Sequence, residues 1–281
     1  DAKCMESLNA YERYVYRELY DENTGVVYND INRNNDWHRL YNYPWVANFQ
    51  IALYRLKKDV RYLLNAYKTM MGYYCSGGEY FYAIGIEAYE LKTLLDEAGF
   101  EAQSEAFTQA FLNHADQLTQ TSVNYPTSEV KYEQSIVAPA VSCLLQAYQI
   151  SGEQKYLEEA RKQLKLLELF NGKQADYHLF ENAIRHWDGY WFGKCRLYGD
   201  TFPHYWSALT GNAYSDYGDI IGSNEYKKRA DYSHRSVLSL LNSDGTATCA
   251  YVYPTSINGI SANYADPYAN DQDWGLYFNI K

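Results

Sequence analysis

Residues 180–211 hold the densest group of side chains that could carry chemistry. Their sequence, FENAIRHWDGYWFGKCRLYGDTFPHYWSALTG, interleaves aromatic rings with charges of both signs. The charged and titratable members are Arg185, His186, Asp188, Lys194, Arg196, Asp200 and His204, and the aromatic ones include Trp187, Tyr190, Trp191, Tyr205 and Trp206. An unpaired charge is costly to bury, so this mixture favours a wet groove whose rings stack on a cyclic ligand. The competing interpretation is a buried aromatic corner whose polar tips are all satisfied.

A second polar, aromatic loop spans residues 29–42 and leads into a helix that should begin near Pro44. The loop and the helix start supply Trp37, His38, Arg39, Tyr43 and Asn48. The chain also contains 32 tyrosines, and a tyrosine combines a flat apolar face with a hydroxyl that bonds water or sugar. We therefore expect a saccharide site built from these two loops, with an oligo- or polysaccharide as the partner.

Two reactions on a saccharide suit these residue types. In β-elimination from a uronic-acid glycoside, a base removes the C5 proton and an acid protonates the leaving oxygen. Histidine and tyrosine suit those roles, and a cation stabilises the developing enolate-like charge. The candidate catalytic residues are His38, Arg185, His186, Tyr190 and His204. The candidate binding residues are Trp37, Arg39, Tyr43, Asn48, Glu133, Trp187, Asp188, Trp191, Lys194, Arg196, Asp200 and Tyr205.

The second reaction is glycoside hydrolysis by a pair of carboxylates, one of which acts as an acid with a raised pKa. Glu133, Asp188 and Asp200 are the candidates, with Asp36 and Asp273 behind them. No carboxylate lies in a recognisable catalytic motif, which slightly favours elimination. A glycan-binding module without catalysis is a third interpretation, since such a module needs aromatic platforms but no titratable pair.

Composition limits the other function classes. The net charge of −10 disfavours a nucleic-acid partner, because such binding depends on a basic patch. The five cysteines have no metal-ligand spacing, so we expect neither a zinc site nor another cofactor. No apolar run is long enough to span a membrane. His114 and His234 lie in amphipathic stretches and are expected to be surface or packing residues.

Apolar spacing predicts a chain of helices joined by alternating short and long connections. The predicted helices cover residues 3–20, 44–57, from 59 onwards, 80–98, 101–119, 138–150, 153–170, 202–221, 224–241 and from about 271, with a short β-like segment at 246–253. Three segments, KDVRYLLNA, GEQKYLEEA and GSNEYKKRA, each place a tyrosine four residues before an alanine at a helix start. This weak repeat indicates stacked helical hairpins, arranged as an open solenoid or as a closed ring.

Proline placement favours the ring. Pro44, Pro139 and Pro203 each stand where a helix should begin, the position that tolerates a missing N–H, and Pro267 fits the same pattern. An aromatic, polar loop precedes each of them. If alternate helices are the inner ones, their N-terminal ends and these loops converge on one face, and helix N-termini favour a carboxylate.

The hairpins, the loops before the inner helices and the segments HWDGYWFG and DTFPHYWSALTG resemble the (α/α) toroid carbohydrate-active enzymes. That group includes six-hairpin glycosidases and toroidal polysaccharide lyases. The resemblance covers nearly the whole chain and implies an all-α fold, one toroid domain over residues 1–281, and a periplasmic or extracellular bacterial enzyme. A six-hairpin ring needs more helices than the pattern supplies, and Asp1 is not a natural start, so a longer protein is consistent with the sequence.

Overall fold

The structure, a computed structural model, describes residues 2–37, 39–127, 133–174, 179–182, 185–187, 199–204, 206–248, 250–253, 256–257, 260–261 and 272–280. For the strands, and for residues 272–274, the description covers the backbone. The helices are α1 (Ala2–Tyr14), α2 (Asn42–Lys57), α3 (Val60–Cys75), α4 (Ala88–Glu97), α5 (Glu101–Thr121), α6 (Gln134–Ser151), α7 (Gln154–Glu168), α8 (Ser207–Ile221), α9 (Asn224–Leu238) and α10 (Gln272–Ile280). The strands are β1 (Arg185–Trp187), β2 (Gly199–His204), β3 (Ala250–Tyr253), β4 (Ser256–Ile257) and β5 (Ile260–Ser261). The predicted all-α class is confirmed.

The chain divides into two compact units, Asp1–Thr121 with Gln146–Tyr156 and Ser122–Leu145 with Leu157–Lys281. The boundary falls within α6 and α7, and a single domain over residues 1–281 stays a prediction. In the part of the chain that the structure describes, no helix is long and apolar enough to cross a membrane.

The first unit is built from the hairpins α2–α3 and α4–α5, with α3 also packed against α5. Its core contains Leu53, Leu63, Phe107 and Phe111, all fully buried. Asp59 caps α3 as predicted, because its carboxylate accepts a hydrogen bond from the Arg61 backbone N–H at 2.9 Å. α1 runs into a π-helical turn, Val15–Leu19, before the chain turns back.

The second unit contains the hairpin α8–α9, against which α10 packs. The apolar stripe predicted on α7 is buried, as shown by Leu157, Ala160, Leu164 and Leu167. The second unit also has a three-stranded antiparallel sheet in the order β1-β2-β3. In the sequence, β1 and β2 come before the hairpin α8–α9 and β3 comes after it. β3 lies inside the predicted β-like segment, whereas β1 and β2 were not predicted.

Two of the proline predictions are wrong. Pro139 lies inside α6, five residues after its first residue, and Pro203 lies in β2, so α8 begins at Ser207 and not at residue 202. A proline inside a helix removes a hydrogen bond, but burial can outweigh that cost. Around Pro139 the helix is buried on all sides, at Ile136, Val137, Ala138, Ala140, Val141, Leu144 and Leu145. Pro44, in the first turn of α2, agrees with the prediction, and Pro267 lies outside the described residues.

The helix predicted over residues 80–98 begins only at Ala88. A short 3-10 turn, Gly78–Tyr80, is followed by a non-helical segment at 81–87. Gly85 has φ +81°, a conformation that favours glycine and interrupts a helix. Gly99 ends α4 with φ +78°, as predicted for a glycine just past a helix.

Candidate functional site

In the first unit the candidate site centres on Arg39, in the loop before α2. Its guanidinium carbon lies 5.8 Å from the ring centroid of Tyr41 and 5.6 Å from that of Trp45. The two rings are stacked, with centroids 6.2 Å apart. A cation over an aromatic face gains about 0.5–1 kcal/mol at an exposed position, so the rings orient the guanidinium. Among the described residues, none accepts a hydrogen bond from the Arg39 side chain or forms an ion pair with it.

Trp37 lies two residues before Arg39 and exposes 73% of its surface. Large aromatic side chains bury most of their area in a protein core, so an indole this exposed is available for stacking on a ligand. Short side-chain to backbone bonds shape the loop, such as the Asp36 N–H donating to Asn34 Oδ1 at 2.9 Å. Trp37 and Arg39 thus present a ring and a cation close together in sequence.

The segment at 81–87 is fastened beside the start of α2. The Phe81 ring meets the Tyr41 ring edge to face at 4.6 Å. The Asn48 amide donates to the Gly85 carbonyl at 2.8 Å, and the Gln146 amide donates to the Ile86 carbonyl at 2.8 Å. The segment therefore packs beside the start of α2 and brings Phe81 next to Tyr41. We call Arg39, Tyr41, Trp45 and Phe81 the Arg39 cluster.

In the second unit, β1 and β2 bring four of the predicted residues into one ladder. Arg185 pairs with Thr201, His186 with Asp200 and Trp187 with Gly199. Backbones paired in this way place their Cα atoms about 4.5–5.5 Å apart. His204 pairs instead with Ala250 of β3, beyond a register shift in β2. The ladder thus puts the backbones of Arg185 and His186 beside that of Asp200.

The first turns of α6 and α8 carry polar groups into the interior of the second unit. Glu133, just before α6, accepts a hydrogen bond from the Ser135 hydroxyl at 2.9 Å. The Thr210 hydroxyl donates to Gln134 Oε1 at 3.4 Å, and the Ser207 hydroxyl donates to Asn182 Oδ1. Gln134 and Asn182 are 2% and 0% exposed. Buried polar groups are usually hydrogen-bonded, and the bond from Thr210 to Gln134 joins the starts of the two helices.

The whole chain matches a solved structure described as a polysaccharide lyase, with 43% sequence identity and a TM-score of 0.90, and it covers 42% of that chain. An inactive variant of the α-1,6-mannanase GH76A of Salegentibacter sp. HEL1_6, solved with α-1,6-mannotetrose, shares 18% identity. That match covers 86% of this chain and 72% of the mannanase, with a TM-score of 0.59. This chain has the (α/α) toroid fold. No protein-family model matches the sequence, and no curated protein matches it.

A third toroid, an α-mannanase from Bacteroides thetaiotaomicron, shares 11% identity over 90% of this chain and 72% of its own, with a TM-score of 0.58. At such identities the two mannanases share the fold alone with this protein. The predicted resemblance to (α/α) toroid carbohydrate-active enzymes is confirmed at the level of the fold. This chain spans less than half of the length of the lyase that it matches.

Two predicted site residues of the first unit lie in supporting positions. Tyr43 is 1% exposed, and its ring centroid lies 6.3 Å from that of Tyr73 on α3. Asn48 holds the backbone of the segment at 81–87. His38, Asp188, Tyr190, Trp191, Lys194, Arg196 and Tyr205 lie outside the described residues, as does His178.

The two histidines predicted to be surface or packing residues lie in helices, His114 in α5 and His234 in α9. His114 is 1% exposed, between the rings of Tyr73 and Tyr74, so it is a packing residue and not a surface one. Burial lowers the pKa of His114 to about 4, with the backbone at Phe81 opposing that shift in part. His234 is half-buried, and its Nε2 lies 2.8 Å from Asn212 Oδ1.

Sequence reasoning missed Tyr41, Trp45 and Phe81 in the Arg39 cluster, as well as Gln134 and Asn182. A usable signal existed for the first two, because LYNYPW places rings on both sides of a proline directly after Arg39. Phe81 was missed because it was assigned to a helix predicted over residues 80–98. Among the described residues, no group of three or more His, Cys, Asp or Glu side chains could hold a metal ion.

Proposed function

We propose that the protein is a carbohydrate-active enzyme that cleaves a uronate-containing saccharide by β-elimination. The observation that carries this proposal is the 43% identity, over the whole chain, to a protein described as a polysaccharide lyase. The Arg39 cluster supports an acidic substrate, since its guanidinium donors have no partner among the described residues and a uronate carboxylate would pair with them.

In the proposed reaction a base removes the proton at C5 of the uronate. The electron pair forms the double bond between C4 and C5, the bond from C4 to the leaving oxygen breaks, and an acid protonates that oxygen. We assign the base to a histidine, His186 or His204 with His38 as a further candidate, and the acid to Tyr190. Arg185 would neutralise the carboxylate and so acidify the C5 proton.

Substrate contacts are proposed for the remaining predicted residues. Trp37 would stack on a sugar ring, and Arg39 would bind a carboxylate. Tyr43 and Asn48 would support the loop that carries Trp37 and Arg39. In the second unit the proposed binding residues are Glu133, Trp187, Asp188, Trp191, Lys194, Arg196, Asp200 and Tyr205. A polysaccharide substrate also implies a periplasmic or extracellular location, which cell fractionation of the source organism would test.

The experiment is incubation of the protein with a panel of soluble uronate polysaccharides, followed by ultraviolet absorbance and reducing-end analysis. Elimination leaves an unsaturated uronate that absorbs in the ultraviolet, and we expect that signal together with new reducing ends. His186→Ala and His204→Ala should identify the base through loss of the signal. His234→Gln, which keeps a polar group that reaches Asn212, is the matched control and should stay active.

Two other outcomes would overturn the proposal. New reducing ends without ultraviolet absorbance would mean hydrolysis, and the test would then move to Glu133, Asp188 and Asp200, with Asp36 and Asp273 after them. Saccharide binding without any cleavage, measured by affinity electrophoresis on the same panel, would mean a glycan-binding toroid.

A further inference from the structure

A short stretch, residues 179–182, precedes β1 and is held by a partly buried ion pair. Both carboxylate oxygens of Glu181 accept hydrogen bonds from the Arg229 guanidinium of α9, each at 3.0 Å. A third donor of the same guanidinium reaches Glu168 of α7 at 2.8 Å. Bidentate pairing of this kind fixes direction as well as distance.

Aromatic residues enclose this ion pair. The Arg229 guanidinium lies 4.6 Å from the ring centroid of Tyr214 and also donates to its hydroxyl at 3.1 Å. The Tyr226 hydroxyl donates to Glu168 at 2.6 Å and so gives the second carboxylate a further hydrogen bond. Glu181 is 8% exposed, and a hydrogen-bonded charge pair is stronger where burial lowers the local dielectric.

The backbone of Glu181 is strained. Its φ is +54°, in the left-handed region where a residue with a Cβ atom is disfavoured, and its N–H donates to the Gly172 carbonyl at 2.8 Å. Such strain persists only where the surroundings over-determine the conformation. Glycine or asparagine would adopt this backbone more readily. The glutamate therefore indicates that its side chain serves a purpose at this position.

The neighbours of Glu181 are fixed as well. The Ser236 hydroxyl of α9 donates to the Phe180 carbonyl at 3.1 Å, and the Phe180 ring meets the Tyr232 ring edge to face at 5.5 Å. Asn182 accepts a hydrogen bond from Ser207, the first residue of α8. Thus α8 and α9 both contact residues 180–182, which precede β1 in the chain, and α7 contributes through the bond from Arg229 to Glu168.

We propose that the Glu181–Arg229 ion pair positions β1, and with it Arg185 and His186, relative to the hairpin α8–α9. Arg229 and Glu181 are positioning residues, which act through the strand that follows them. The catalytic meaning of this arrangement rests on the proposed function, because it needs His186 or Arg185 to act on a substrate. The positional meaning does not, and it can be tested without any substrate.

The substrate-free test is hydrogen–deuterium exchange on three variants of the protein. Glu181→Gln keeps the shape of the side chain but removes its charge. Glu181→Asn reduces the backbone strain, but its shorter side chain cannot pair with Arg229 through two hydrogen bonds. Arg229→Lys keeps the positive charge but loses the planar guanidinium that makes the bidentate contact. We expect peptides covering β1 and β2 to exchange at least about tenfold faster in each, since loss of a partly buried charge pair eases local opening. Peptides from α2 to α5 should be unchanged.

The matched control is Arg235→Gln on the same helix, whose ion pair with Asp231 is exposed to solvent. It should leave exchange in β1 and β2 as in the wild type. Unchanged exchange in all three variants, or an increase equal across the whole chain, would overturn the proposal. If Glu181→Gln fails to fold, Arg229→Lys and Glu181→Asn decide the outcome.

Where the wild type shows the ultraviolet signal of elimination, the same variants should lower kcat at least about tenfold while KM changes little, because misplacement of catalytic groups affects the transition state. A wild type that cleaves no saccharide would remove the proposed function but leave the exchange result standing. Faster exchange in β1 with an unchanged kcat would overturn the link between this ion pair and catalysis.

Discussion

Two arginines of this protein lie over pairs of aromatic rings, and their surroundings differ. Arg39, in the first unit, faces Tyr41 and Trp45 at 5.8 and 5.6 Å. Arg229, in the second unit, faces Tyr214 and Tyr226 at 4.6 and 5.5 Å. Arg229 also binds two carboxylates, Glu168 and Glu181. Within the described part of the chain, Arg39 binds no carboxylate.

The contrast separates a structural cation from one that can meet a ligand. Arg229 is largely buried, so its charge needs partners inside the protein. Glu181 and Glu168 are those partners. Arg39 is exposed, so water can satisfy it until a ligand replaces that water. Aromatic rings around an arginine thus do not reveal its role, whereas the carboxylate partners do.

The largest expected effect is the loss of stability caused by Arg229→Ala. We expect the free energy of unfolding to fall by about 3–5 kcal/mol at neutral pH, because two partly buried carboxylates lose their cation. The loss should shrink as the pH falls, since an unpaired buried carboxylate has a raised pKa and takes up a proton. Urea denaturation at several pH values measures both effects. A loss below about 1 kcal/mol, typical of exposed pairs, would remove the contrast with Arg39.

His114 extends the comparison to a buried ionisable group without an ionic partner. Its pKa of about 4 in the folded protein lies below the ordinary value of about 6.5. As the pH falls from about 6.5 to about 4, the unfolded chain binds a proton that the folded protein does not, so the free energy of unfolding should drop by about 3 kcal/mol. His114→Leu should flatten the pH dependence in this window. Equal slopes for the two proteins would contradict the buried, neutral histidine.

Sequence reasoning succeeded where local rules and burial agree. The stripe of α7, the Asp59 cap of α3 and the Gly99 end of α4 follow from apolar spacing and backbone chemistry within one turn. It failed where contacts between distant segments decide. Pro139 is tolerated inside α6 because surrounding elements bury that helix, and the segment at 81–87 is held by Asn48 and Gln146 from elsewhere in the chain.

The candidate site shows the same division. The loop with Trp37 and Arg39 was recognisable from residue types, because exposed rings and charges cluster there. The β1–β2 ladder was not, since three-residue and six-residue strands leave little period-two signal in an aromatic segment. Glu181 was missed for another reason: neither its left-handed backbone nor its distant partner Arg229 has a signature in sequence.

Arg39→Ala is the direct counterpart of the Arg229 variant and should behave in the opposite way. Its removal should cost about 1 kcal/mol or less of stability, the worth of an exposed cation–π contact. Binding of an acidic saccharide should weaken by about 2 kcal/mol, roughly 30-fold, because a charged hydrogen bond to the ligand is lost. Isothermal titration with a uronate oligosaccharide measures this, and a neutral mannose oligosaccharide is the ligand control. An equal loss for both ligands would contradict carboxylate recognition by Arg39.

The smallest effect is expected for Trp37→Ala, which refines the exposed side of the comparison. The indole is 73% exposed, so the free energy of unfolding should change by no more than about 0.5 kcal/mol. If the ring stacks on a sugar, saccharide binding should weaken by about 1 kcal/mol, roughly fivefold, and Trp37→Phe should restore most of it. The matched control is Tyr11→Ala, which removes an exposed aromatic ring from α1, away from the loop that carries Trp37 in the sequence. It should not alter binding. A loss of binding that phenylalanine does not restore would mean that Trp37 shapes its loop, and the exposed cluster would then recognise its ligand through the Arg39 charge alone.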